Sequence, residues 1–178
     1  MQRLTFVSLI LAACLTTTPA CAENIDAGMT APAWELESGD GTAFSFPADA
    51  EGEASILFFW ATWCPYCHAL MPYLQKIQDD YSEYGVTVYA IDFKDDGDPV
   101  EYMEKLGWKF MVFPLGDLVA DDYGVFSAPG ILVVNRDGVV TYRRKPTRAP
   151  PGKAIAEIWD EQIREALDLA VGRTAAGP

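Results

Sequence analysis

Cys64 and Cys67 bracket Pro65 and Tyr66 in a chain of 178 residues. Two thiols three positions apart can close, open and hand on a single disulfide. The pair follows an apolar run, Ile56-Leu57-Phe58-Phe59-Trp60, and opens a stretch with helical periodicity. A helix start carries partial positive charge on its unpaired N–H groups, which favours thiolate over thiol. Cys64 is therefore expected to be acidified and exposed, and Cys67, one turn in, to resolve a mixed disulfide. The chemistry expected is thiol–disulfide exchange.

The chain has four cysteines, and the other two, Cys14 and Cys21, lie in an amino-terminal segment with the marks of an export signal. Arg3 supplies a short positive region, residues 4–15 are apolar but too few to span a bilayer, and Ala20-Cys21-Ala22 fits a small-x-small cleavage pattern before Glu23. A second reading takes Leu11-Ala12-Ala13-Cys14 as a lipoprotein box with Cys14 acylated. Cleavage after Ala22 is favoured because it leaves Cys64 and Cys67 as the only thiols, whereas lipidation at Cys14 strands Cys21 unpaired in an oxidising compartment. The expectation is a soluble periplasmic protein with residues 1–22 removed and 23–178 forming one domain.

A closed zinc site needs four ligands, and the one histidine, His68, adjoins Cys67, so no metal is expected. A structural staple over so small a loop gains little closure entropy. The formal net charge of −13 speaks against nucleic acid and anionic lipid as partners and permits a basic protein partner. Arg143-Arg144-Lys145 is short and offset by surrounding acidity, which leaves no nucleic-acid role.

The elements that must position the cysteines follow from periodicity. Ser38-Gly39-Asp40-Gly41 turns between Trp34-Glu35-Leu36 and Phe44-Ser45-Phe46. Residues 55–60 and 86–92 read as strands covered on both faces, joined by a helix from Pro65 with Leu70, Leu74, Ile77 and Tyr81 on one side. Strand, helix, strand implies a parallel crossover, and Pro72 should bend the helix. A short helix starts at Pro99 and stops near Leu106-Gly107, a short strand is expected over 110–114, and a helical turn over 118–123. Asn135-Arg136-Asp137-Gly138 joins two strands as a hairpin. Ile155, Ile158, Trp159, Ile163 and Leu167 stripe a closing helix, and 175–178 form a frayed tail.

The run Phe59-Trp60-Ala61-Thr62-Trp63-Cys64-Pro65-Tyr66-Cys67, with Pro72 following and Ala128-Pro129 far downstream, resembles the thioredoxin superfamily. More narrowly it is similar to exported TlpA/DsbE-like thiol-disulfide oxidoreductases of the redoxin (AhpC/TSA-like) group. Gly28-x-x-Ala31-Pro32, the extra helix around 99–106, Tyr123-Gly124-Val125 and Asn135-Arg136-Asp137-Gly138 extend the resemblance over nearly all of residues 27–170. It implies a thioredoxin-like α/β fold, with a central mixed sheet flanked by helices, an amino-terminal hairpin and an extra central helix. It also implies that Cys64 attacks, that Cys67 resolves, and that Pro129 is cis and packed against the sulfurs. Trp63, Pro65, Tyr66, Ala128 and Pro129 would meet the substrate, with the Ala128 backbone free to pair with an extended segment. Read without the resemblance, Pro129-Gly130 is simply a turn before a strand. The implied partners are disulfide-bearing proteins and a membrane electron donor that re-reduces the enzyme, which would work as a monomer with no cofactor beyond its own disulfide.

Two positions depart from the family pattern. Many members carry a glutamate where this chain has Leu70, a carboxylate linked to cytochrome maturation, and cytoplasmic thioredoxins carry a buried aspartate where this chain has Phe58. A proton acceptor for Cys67 must then come from elsewhere or be water. His68 is either a partner of a thiolate or a solvated side chain. Trp60 reads as core, Trp63 as core or as a wall of the site, Tyr66 as exposed, and Asp95 to Asp98 as a solvated connection. Disulfide reduction leads. Disulfide oxidation or isomerisation runs the same steps backwards. Peroxide reduction is disfavoured because Thr62 stands two residues before Cys64 instead of three, and a thioredoxin-like copper chaperone would want a distal histidine.

Overall fold

The computed structural model describes residues 24–173; the expected export signal and the expected frayed tail lie outside the described residues. Near the start, β1 (Trp34–Glu37) and β2 (Ala43–Phe46) form the expected hairpin. The Asp40 carboxylate, which accepts from Ser38 Oγ at 2.6 Å and from Thr42 N at 3.0 Å, ties the turn. The apolar runs form β3 (Ala54–Trp60) and β4 (Val86–Asp92), both almost wholly buried and paired in parallel. Between them lies α1 (Pro65–Asp80), with Pro72 inside it and Leu70, Leu74 and Ile77 buried.

The Asp98 carboxylate caps α2 (Pro99–Leu106), accepting from the N–H groups of Val100 and Glu101 at 3.0 and 2.9 Å. Gly107, at φ 73°, closes that helix in the left-handed conformation glycine adopts without strain. There follow β5 (Met111–Phe113), α3 (Asp117–Asp122), β6 (Gly130–Val134), β7 (Val140–Arg143) and α4 (Ile155–Ala170). The sheet order is β5-β4-β3-β6-β7, with β5, β4 and β3 mutually parallel, β6 antiparallel to β3, and β7 antiparallel to β6. The sheet is therefore mixed, as expected.

Alternation along β3 divides the core. Ile56, Phe58 and Trp60 join α1 and α4 on one face, together with both cysteines. Leu57 and Phe59 point to the other face, where the hairpin lays Trp34 and Phe46 against Tyr89 and Phe113. Trp34 stacks on Phe46 with ring centroids 5.3 Å apart and meets Phe113 edge-on at 5.0 Å. No helix among the described residues is long and apolar enough to cross a membrane.

Candidate active site

Because β3 ends at Trp60 and α1 begins at Pro65, residues 61–64 are a short link that sets Cys64 at the N-cap of α1. Pro65 takes the first helical position, where its missing N–H costs nothing. The sulfur of Cys64 accepts the Cys67 N–H at 3.1 Å, serving as the cap that serine or aspartate usually provides. Cys64 and Cys67 are joined as a disulfide with Cα atoms 5.2 Å apart. No acidic side chain lies in the first turn of α1, so nothing there offsets the positive end of the helix.

Exposure differs from expectation. Cys64 is 1 % exposed and Cys67 is fully buried. The sulfurs join the apolar cluster that includes Trp60 and Leu70, while the neighbouring Trp63 and Tyr66 stand 59 % and 58 % exposed. The exposed side chains beside the pair are Trp63, Pro65 and Tyr66, which offer a partner more surface than the sulfurs do. Trp63 is fixed by its indole N–H, which donates to the Lys94 carbonyl at 2.9 Å. Tyr66 lies edge-on to Trp159 at 6.3 Å.

The Ala128–Pro129 bond is cis, as the resemblance implied, and half-buried Ala128 packs against the cluster that holds both sulfurs. Arg144, dismissed in the sequence as part of a short basic run, holds this loop. Its Nε donates to the Pro129 carbonyl at 2.6 Å, and its guanidinium lies 5.1 Å over the Trp159 ring. Arg143 donates to the carbonyls of Ile25, Tyr123 and Gly124, tying the amino-terminal segment to the residues just before the cis-proline loop.

His68 is not the solvated side chain that one of its two readings expects. Its ring stacks on Tyr102 at 5.0 Å, and its Nε2 is buried without a hydrogen-bond partner. Tyr102 in turn meets Trp60 at 5.6 Å, so α2 closes the side of the site through aromatic contact. Phe58 and Leu70, the two departures, are fully buried and apolar.

The acidic loop is not merely solvated. Asp95 accepts the Thr62 N–H on one oxygen and the Thr62 hydroxyl, at 2.8 Å, on the other. Burial pushes Asp95 up, but these donors, the Gly97 N–H and the adjacent Asp92 outweigh it and hold the carboxyl below its usual range. Asp92, the last residue of β4 and the register partner of Trp60, is 5 % exposed. Burial, a hydrogen bond to Asp95 and the charges of Asp95 and Asp117 push it up to about 8. The signal for Asp92 was present in the sequence, since an aspartate shares the inward parity of Val86, Val88 and Ala90, but it read as the end of a strand.

Comparison with known proteins agrees with this geometry. The AhpC/TSA family model matches residues 27–143. The thiol:disulfide interchange protein DsbE of Escherichia coli (strain K12) is 28% identical over 151 residues, covering 82% of this chain and 76% of the relative. The thiol-disulfide oxidoreductase ResA of Bacillus thuringiensis (strain Al Hakam) is 28% identical over 148 residues, covering 82% and 77%. A crystal structure of a candidate thiol:disulfide interchange protein DsbE from Chlorobium tepidum superposes with a TM-score of 0.70 at 25% identity, over 83% of this chain and 99% of the other. The chain belongs to the AhpC/TSA family, and it is a thiol-disulfide oxidoreductase of the DsbE and ResA type with a thioredoxin-like fold.

Proposed function

We propose that this protein is an exported, periplasmic disulfide reductase acting on other proteins. The Cys64 thiolate attacks one sulfur of a substrate disulfide; the Cys64–substrate S–S bond forms as the substrate bond breaks, and the electron pair leaves on the displaced sulfur. The Cys67 thiol then loses its proton and attacks Cys64, closing the disulfide seen here and releasing the substrate as a dithiol. Two electrons pass from enzyme to substrate, and a membrane dithiol donor returns them. A single chain suffices, because both sulfurs come from one helix.

The observation that carries this reading is the Cys64 sulfur at the N-cap of α1, accepting the Cys67 N–H at 3.1 Å. That position stabilises charge on the attacking sulfur and keeps the resolving one within bonding distance. Exposed Trp63, Pro65 and Tyr66 meet a substrate segment first in this reading, with half-buried Ala128 offering its backbone and buried Pro129 shaping the loop behind it. The amino-terminal pattern of residues 1–22 supports export. Leu70 in place of the glutamate favours substrates other than apocytochrome c.

The test is Cys67→Ser, which cannot resolve the mixed disulfide, expressed in the native exported compartment. Covalent protein partners linked through Cys64 are expected, and none in a Cys64→Ser control. Trapping none would defeat the protein-substrate reading. Direction is read from the reduction potential. A value near thioredoxin, about −270 mV, supports reduction, while one near about −120 mV makes the protein an oxidant. Peroxide consumption is expected at the rate of a free thiol.

A further inference from the structure

We propose that Asp92 and Asp95 together position the Thr62–Trp63 segment, as an acid–carboxylate pair that holds the approach to Cys64 while Asp92 carries a proton and releases it when that proton leaves. Both residues that precede Cys64 hang from one loop. Asp95 takes the backbone N–H and, at 2.8 Å, the hydroxyl of Thr62. The neighbouring Lys94 carbonyl takes the Trp63 indole at 2.9 Å. The fit is close: a Cβ on Gly97, whose N–H donates to Asp95 Oδ1 at 3.0 Å, would collide with the Thr62 side chain.

Asp92 is the hidden half of the pair. It is nine-tenths buried, its Oδ1 has no hydrogen-bond partner, and the nearby Asp95 carboxylate is placed to accept a proton that Asp92 carries. The charged groups that act on it are both negative: Asp95 from the loop and Asp117 from α3. Lys94 brings no compensating cation, since its ammonium turns to the Phe126 carbonyl at 3.3 Å while its backbone N–H goes to Asp117 at 3.0 Å. A buried carboxylate with like charges beside it holds its proton well past the usual range, here to about 8. Once that proton passes to solvent, two carboxylates face each other at the edge of the core. Asp95, half-buried on a loop, is the one free to move, and Thr62 and Trp63 move with it.

The inference deepens the exchange reading of Cys64, because it concerns the segment that presents that sulfur. Its test does not depend on exchange. In the oxidised protein neither cysteine titrates, so the Thr62 amide and the Trp63 indole N–H can be followed by NMR against pH with no turnover. Both signals are expected to shift together with one midpoint, at roughly 7 to 9, in the wild-type protein, and to stay flat in Asp92→Asn. The reduced proteins give a second readout, the ratio of Asp92→Asn to wild-type exchange rates against pH. One unit above the midpoint only about one-tenth of wild-type Asp92 keeps its proton, so the ratio should climb towards about tenfold. A flat wild-type amide, an equal transition in Asp92→Asn, or a rate ratio constant with pH would each overturn the proposal. Failure to trap a partner with Cys67→Ser would leave it untouched.

Discussion

The two flanks of Cys64 are held by opposite chemistry. On one side carboxylates do the holding: Asp95 grips Thr62, and buried Asp92 stands behind it. On the other, the Arg144 guanidinium fixes the Pro129 carbonyl and lies over Trp159, which backs Tyr66. Arginine keeps its charge at every pH a folded protein meets, whereas the acid pair changes state within the range of ordinary biology. One flank is a fixed support and the other is adjustable, so the contacts a substrate makes through Trp63 and through Tyr66 need not respond alike to the medium.

The contrast is broken most strongly at Asp92. Unfolded, this aspartate loses its proton near 3.8; folded, it keeps it to about 8. Between those values the unfolded chain binds fewer protons, so stability falls as pH rises, with a steepest slope of about 1.4 kcal/mol per pH unit, and levels off above about 8. Urea denaturation at stepped pH should show this fall in the wild-type protein and its loss in Asp92→Asn, which would be the more stable protein at neutral pH. Asp95→Ala strands the Thr62 N–H and hydroxyl and should cost about 2 kcal/mol at neutral pH, where protonated Asp92 also loses its neighbouring acceptor. Melting of the oxidised protein measures it.

The arginine flank should give smaller effects. Arg144→Ala removes the bond to the Pro129 carbonyl and the contact with Trp159, for about 1–2 kcal/mol that does not vary between pH 6 and 9. A pH-dependent loss would mean that the two flanks are not independent. Arg144→Lys keeps the charge but not the planar fork, and should cost under about 1 kcal/mol. Its sharper signature is in exchange kinetics, where a looser Pro129 loop raises the KM for a peptide disulfide more than it lowers kcat.

The sequence showed most of the scaffold, because the scaffold obeys local rules. The buried strands, the stripe on α1, the Pro99 and Gly107 limits of α2 and the Asn135–Gly138 turn depend on neighbours in the chain. The helix-start placement of Cys64 was legible for the same reason. Its burial was not, since that depends on sequence-distant residues of the apolar cluster closing around it. Asp92, Asp95 and Arg144 escaped because their partners are distant: Asp95 meets Thr62 across 33 positions and Arg144 meets Pro129 across 15. A charge run reads as solvated until the fold brings a donor to it. His68 shows the converse, a titratable side chain absorbed into aromatic packing.

The amino-terminal strap has a consequence for how the molecule is made. Trp34 and Phe46 rest on Tyr89 and Phe113, Thr30 bridges to Val139, and the Pro32 carbonyl takes the Tyr123 hydroxyl at 2.6 Å. During synthesis this stretch emerges before any surface it will cover, and its apolar side chains have nowhere to go until residue 113 has followed. This early segment is thus among the last to be seated, and a chain trimmed before residue 48 would leave Tyr89 and Phe113 bare, an aromatic patch prone to self-association.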